Sequence, residues 1–167
     1  MLDSLVKSLE TILVSLIILI NSYGITVQEI PENKVIKVID GDTIEVYENK
    51  KIERVRMIGL NTPETVDPRK PVECFGVEAS TKLKDLLSNQ IVRLESDETQ
   101  TNLDKYGRQL RYVYLNNENI NQKMIEEGYG FEYTYKTPYK YQKEFKESQK
   151  RAQQKSSGLW NKSNCNY

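Results

Sequence analysis

Residues 34–60 read KVIKVIDGDTIEVYENKKIERVRMIGL, and much of this stretch alternates between apolar and polar residues. Val35 and Lys37 alternate with Ile36 and Val38; after Asp40-Gly41-Asp42, Ile44 and Val46 alternate with Thr43 and Glu45. A period of two turns one side of each run toward a core and the other toward water, as half-buried strands do. Asp-Gly between two such runs signals a hairpin, because glycine accepts a positive φ at little steric cost. Asn49 and Lys50 supply a second turn into a third run, from about Lys51 to Leu60. The expectation is three strands in a meander.

Further along, residues 76–88 (GVEASTKLKDLLS) change to helical spacing, with Val77, Leu83, Leu86 and Leu87 on one broad face. Two more strands, 90–95 (QIVRLE) and 109–115 (QLRYVYL), flank a polar loop holding Asp97 to Lys105. A short helix from about Asn119 stops at Gly128. In a last helix Tyr141, Phe145, Ser148 and Ala152 fall at i, i+4, i+7 and i+11, with Gly158 as its stop. Five short strands with a helix between the third and fourth predict an α+β fold, a five-stranded OB-type Greek-key barrel with three helices.

At 167 residues the chain holds one domain with a proper core. Thr11 to Gln28 carries no charge and centres on ILVSLIILI. We read residues 1–28 as a signal peptide or membrane anchor, the alternative being an N-terminal helix of the fold. A linker over 29–33, the domain over 34–160 and a tail over 161–167 complete the division. The domain is then secreted or membrane-anchored outside the cytoplasm, and touches a membrane only through an uncleaved N-terminal segment.

The chain has no histidine. That excludes Ser-His-Asp triads, histidine acid/base catalysis and the usual zinc sets, and leaves acid/base chemistry to carboxylates. Cys74 and Cys165 match no metal or redox spacing and are either one disulfide or two thiols, with export favouring the disulfide. Net charge is zero, but residues 136–167 hold eight Lys or Arg against two Glu. A local basic segment can therefore meet an anion even though the whole chain is neutral.

Three polar clusters stand at strand ends: Asp40 with Asp42, Arg56 with Asn61 to Glu64, and Asp104 to Arg108. Singly, they read as a turn, a loop and a strand entry, and Arg56 as the ion-pair partner of Glu53 or Glu95. Together they offer hard oxygen ligands for a cation such as Ca²⁺, and two guanidinium groups for the charge of a phosphoryl transition state. Glu64 is the carboxylate that orients or deprotonates water.

VIDGDTIEV, RMIGLNTPET, CFGVEAS, DKYGRQLRYVYL and the closing SGLW, in this order over Lys34 to Trp160, resemble the staphylococcal nuclease family. The resemblance implies Ca²⁺-dependent hydrolysis of DNA and RNA with little sequence specificity, cleaving the 5′ P–O bond to leave 3′-phosphate ends; a monomer is expected. It implies Arg56, Glu64 and Arg108 as catalytic residues. Asp42, Asn61 and the Thr62 carbonyl become metal ligands, with Asp40 supporting the turn. Lys105, Tyr106, Tyr133 and Tyr135 become nucleotide contacts, the tyrosine faces stacking on bases without choosing among them. Asn61 stands where the family has aspartate, Val77 where it has a helix-start proline, and the loop before DKYGR is one residue longer. A Cys74–Cys165 bridge would fasten the tail to the loop before the first helix of the barrel. The rival readings are a nuclease-like module, catalytically weak or inactive, that binds nucleic acid or protein, and a surface interaction protein on the same scaffold. Retention of Arg56, Glu64 and Arg108 together favours the enzyme.

Overall fold

The computed structural model describes residues 6–15, 29–65 and 71–165. The chain divides into two units, Met1–Ile30 and Pro31–Tyr167. In the first, residues 6–15 form helix α1, with Leu9, Ile12 and Leu13 exposed. The rest of the expected leader, including residues 16–28, lies outside the described residues. Among the described residues no helix is long and apolar enough to cross a membrane.

The second unit runs β1 (Lys34–Val38), β2 (Thr43–Glu48), β3 (Lys51–Met57), β4 (Leu60–Asn61), α2 (Gly76–Leu87), β5 (Arg93–Glu95) and β6 (Gln109–Leu115). It continues with β7 (Glu118–Asn119), α3 (Ile120–Glu126), β8 (Phe131–Glu132), α4 (Gln142–Gln154) and a 3₁₀ turn, Gly158–Trp160. The five expected strands are β1, β2, β3, β5 and β6, ordered β1-β2-β3-β6-β5. β3 and β6 pair in parallel; the other neighbours are antiparallel. The ends of this path meet. Val35 N–H donates to Gln90 O at 2.8 Å, Val92 N–H to Asn33 O at 3.0 Å, and Lys34 bridges Ile91. That closure curls the strands into the expected OB-type barrel around Ile44, Val46, Val55, Leu83, Tyr112, Met124 and Phe145, all fully buried.

Strict alternation fails in β1. Val35 and Val38 are buried while Ile36 and Lys37 are exposed, because the β1–β2 register shifts between Val35 and Lys37. This bulge lets residues three apart face the same core. In α2 the buried face is Ala79, Ser80, Leu83 and Leu87, and Val77 is exposed rather than part of it. α3 starts as expected, with Asn119 Oδ1 accepting from Gln122 N at 3.2 Å, and Gly128 (φ 78°) follows it. α4 buries Phe145, Ser148 and Ala152. It ends at Gln154, before Gly158, and the chain turns off at Ser156 (φ 50°), where Ser157 N–H donates to Ala152 O and Ser156 N–H to Gln153 O.

The expected third strand does not run through to Leu60. β3 ends at Met57, the chain turns at Ile58-Gly59, and β4 pairs with β8, Leu60 opposite Glu132 and Asn61 opposite Phe131. Gly59 has φ 73°, and a Cβ there would lie 2.6 Å from the Tyr139 ring and 2.8 Å from the Phe145 ring. Left-handed backbone and an overfilled core act together at this position. Gly59→Ala should therefore lower stability by about 3 kcal/mol, read as a shift in the urea midpoint at unchanged m; an unshifted midpoint would show that the turn relaxes freely.

Candidate active site

The first hairpin turn and the loop after β4 pack on each other. A Cβ on Gly41 would lie 2.7 to 2.9 Å from the Thr62 side chain, and Gly41 does not have a positive φ. Glycine is needed here for close approach, not for the turn conformation the Asp-Gly signal suggests. Asp40 Oδ1 accepts from Asp42 N at 3.1 Å, which shapes the turn. Asp42, 6% exposed, accepts from Thr43 Oγ1 at 3.0 Å on one oxygen and from Thr62 N at 3.0 Å on the other. Burial and the neighbouring Asp42 charge push the Asp40 carboxyl up to about 6.

Arg56 joins the two segments. Its Nη2 lies 3.0 Å from Asp42 Oδ2 and donates to Asn61 Oδ1 at 3.2 Å; Nη1 donates to Leu60 O at 2.6 Å and Met57 O at 2.9 Å. The partner of Arg56 is thus Asp42, not Glu53 or Glu95. Those pair with Lys51, and with Arg93 and Lys140, respectively. Two oxygens from separate loops, Asp42 Oδ2 and Asn61 Oδ1, converge on one nitrogen. Among the described residues no three Cys, Asp or Glu side chains group as a metal cluster. Asn61 Oδ1 and the Thr62 backbone stand beside Asp42 at this point.

Glu64 opens the next loop. Its Oε1 accepts from Thr65 N at 2.8 Å, and its backbone is tied to Glu73 by Glu64 N–H to Glu73 Oε2 and Glu73 N–H to Glu64 O, both 2.9 Å.

Arg108 is held by Asp104, a residue that the sequence alone marks only as part of a turn. Asp104 Oδ2 accepts from Arg108 Nε at 2.7 Å and pairs with Nη2 at 2.6 Å; Oδ1 accepts from the Tyr106 and Arg108 amides. Burial would raise the Asp104 carboxyl, but these bonds outweigh it and hold it below the ordinary range. The usable signal is the Asp-to-Arg spacing of four within a tight turn. Leu110 pairs with Arg56 across the parallel β3–β6 ladder, and Arg108 precedes Leu110 by two residues. Arg108 thus stands just ahead of the paired stretch of β6 that lies beside Arg56.

The tyrosines border the same end of the barrel. Tyr133 N–H donates to Gly59 O at 3.0 Å, fixing the segment after β8 beside the β3–β4 turn. Tyr106, Tyr133 and Tyr135 are 71%, 44% and 64% exposed. Lys105 Nζ is 4.9 Å from the Tyr106 ring centre, and a hydrogen bond with Tyr106 and the Tyr106 and Tyr135 charges hold its ammonium above the ordinary range. Tyr133 and Tyr135 lie 6.4 Å apart, centre to centre. The structure thus gathers Asp40, Asp42, Arg56, Asn61 and Thr62 directly and sets Lys105, Tyr106, Arg108, Tyr133 and Tyr135 along its edge. Shallow depressions of about 180 and 270 Å³ lie over α3 and α4, lined by other residues.

Known proteins place the chain. Residues 54–162 match the family described as "Staphylococcal nuclease homologue". Thermonuclease of Staphylococcus hyicus is 47% identical over 127 residues, 76% of this chain and 74% of that protein. Thermonuclease of Staphylococcus intermedius is 45% identical over 124 residues, 74% and 73% of the two chains. Endonuclease YncB of Bacillus subtilis (strain 168) is 35% identical over 128 residues, 76% of this chain and 60% of that one. With this barrel and these relatives, the chain is a phosphodiester-hydrolysing nuclease and belongs to the staphylococcal nuclease family.

Proposed function

We propose that this nuclease is Ca²⁺-dependent and cleaves DNA and RNA with little sequence preference, leaving 3′-phosphate and 5′-hydroxyl ends. The observation that carries this is the convergence of Asp42 Oδ2 and Asn61 Oδ1 on one cationic nitrogen, beside a second anchored arginine. Asp42, Asn61 and the Thr62 carbonyl, supported by Asp40, form an all-oxygen set that fits a hard cation. Bound there, Ca²⁺ supplies electrostatic polarisation of a phosphoryl oxygen. Arg56 and Arg108 donate to the equatorial phosphoryl oxygens, whose charge grows toward the transition state. Glu64 holds the attacking water and accepts its proton. Exposed Tyr106, Tyr133 and Tyr135 stack on bases of any identity, which accounts for the low sequence preference. Residues 1–28 act as an export leader or anchor and put the domain where Ca²⁺ is abundant.

Digestion of plasmid DNA and of RNA, with millimolar Ca²⁺ and with chelator, tests the reading. Cleavage should require the ion, and the fragments should accept a 5′ label without prior dephosphorylation. Folded protein that cleaves neither polymer in Ca²⁺, or cleaves equally well in chelator, overturns it. Asn61 offers a sharper probe. Asn61→Asp should tighten Ca²⁺ binding by roughly tenfold or more, since one added charge near a divalent ion is worth over ~1 kcal/mol even in water. Calorimetric titration reads this without activity, and an unchanged Kd would remove Asn61 from the ligand set.

A further inference from the structure

The outer face of α4 continues the tyrosine edge of the site. Gln142 Nε2 donates to Thr134 Oγ1 at 2.6 Å, and Gln149 Oε1 accepts from Glu132 N at 2.7 Å. These two bonds seat the segment carrying Tyr133 and Tyr135 against one flank of the helix. Gln142, Lys146 and Lys150 then fall at i, i+4 and i+8, a single ridge that starts at Thr134 and runs back alongside the segment, past Tyr133 toward the level of Glu132. Lys146 and Lys150 are exposed, and among the described residues no carboxylate lies within ion-pair distance of either. The acidic residues of α4, Glu144 and Glu147, line the depression toward α3 with Gln122 and Arg151, on the other flank. At the opposite end of the tyrosine pair, Lys136 Nζ sits 5.3 Å from the Tyr135 ring centre.

Resting on the nucleic-acid reading above, we propose that the Lys146–Lys150 ridge is a backbone track. It holds phosphates of a strand stacked on Tyr133 and Tyr135, on the α4 side of the tyrosine segment. Stacking alone holds bases without fixing the direction in which a polymer leaves. Two unpaired ammoniums beside the tyrosine segment supply that direction through counterion release, with no base preference. Long substrates gain from the ridge and very short ones do not reach it.

The test uses Lys146→Gln/Lys150→Gln in the full chain, with Lys50→Gln/Lys84→Gln as a variant of equal net charge altered at the β2–β3 turn and on α2. Binding of a fluorescent 25-nucleotide single strand and of a trinucleotide is followed by anisotropy against salt, in chelator so that nothing is cleaved. The ridge variant should lower the salt slope for the 25-mer by about 1.4, two phosphates at ~0.7 each, and leave the trinucleotide Kd within twofold. The Lys50/Lys84 variant should keep the parental slope. An unchanged slope in the ridge variant, or the same loss in both variants, overturns the track. So does dependence of phosphatidylglycerol vesicle binding on Lys146 and Lys150 while the 25-mer is unaffected. Because binding is read without hydrolysis, the ridge is tested even in a protein that fails the Ca²⁺ digestion.

Discussion

Arg56→Lys should lower kcat on single-stranded DNA by roughly 10³- to 10⁵-fold, the range over which arginine stabilises phosphoryl transition states. Lysine keeps one positive charge near Asp42 but loses the planar fork. In this site the fork reaches Asp42 Oδ2, Asn61 Oδ1, Leu60 O and Met57 O at once. A point charge on a flexible stem cannot hold those loop oxygens and present a second N–H to phosphate. Arg56→Ala should lose as much activity and also stability. The ion-paired side chains are only 13% and 8% exposed, so the alanine leaves Asp42 buried without its cation. Breaking a pair of this kind costs about 3–5 kcal/mol. The two substitutions separate the roles: both should abolish turnover, and only alanine should move the urea midpoint strongly. Arg56→Lys within tenfold of the parent kcat would mean that Arg56 holds the loops together and does not face phosphate.

That double role explains which features are legible in the sequence. The meander from Lys34 is readable because half-buried strands have a period. The β1 bulge is not, because a register shift belongs to the pair β1–β2 and leaves no mark on either strand alone. β4 and β8 are two residues each, too short for any period, yet their pairing sets Asn61 opposite Phe131 and starts the tyrosine segment. Family motifs nominate candidate site residues, of which the structure brings Asp42, Arg56, Asn61 and Thr62 together, but the motifs do not give their partners. Proximity along the strands suggests Glu53 or Glu95 for Arg56. Folding chooses Asp42 because Met57 N–H donates to Asp42 O at 2.9 Å, laying the turn beside the end of β3. Asp104 escapes for a similar reason: its four bonds are all to its own turn, so it looks like turn chemistry when it also aims Arg108.

Opening the Cys74–Cys165 bridge should lower stability by roughly 4–5 kcal/mol, the chain-entropy value for a loop near 100 residues. The half-cystines are 91 residues apart in sequence with Cα atoms 6.0 Å apart, so the bridge closes most of the barrel into one loop. Cys165 is buried, at the end of a tail folded by Asn164 N–H and Cys165 N–H on Asn161 O. Cys74 follows Glu73, whose backbone and carboxylate clasp Glu64. The bridge therefore anchors the far end of the loop that begins at Glu64, and its loss reaches both stability and site. Reduction should shift the urea midpoint down, and Cys74→Ser/Cys165→Ser should reproduce the shift without reductant. At temperatures where the reduced protein is still folded, kcat should fall more than KM changes if Glu64 has the proposed role of acting on the water and not on substrate affinity. Single serine variants should match the double, since either one opens the loop. A midpoint unmoved by reduction, in protein whose alkylation confirms two free thiols, would show that the tail docks through Cys165 packing alone and that the barrel owes the bridge nothing.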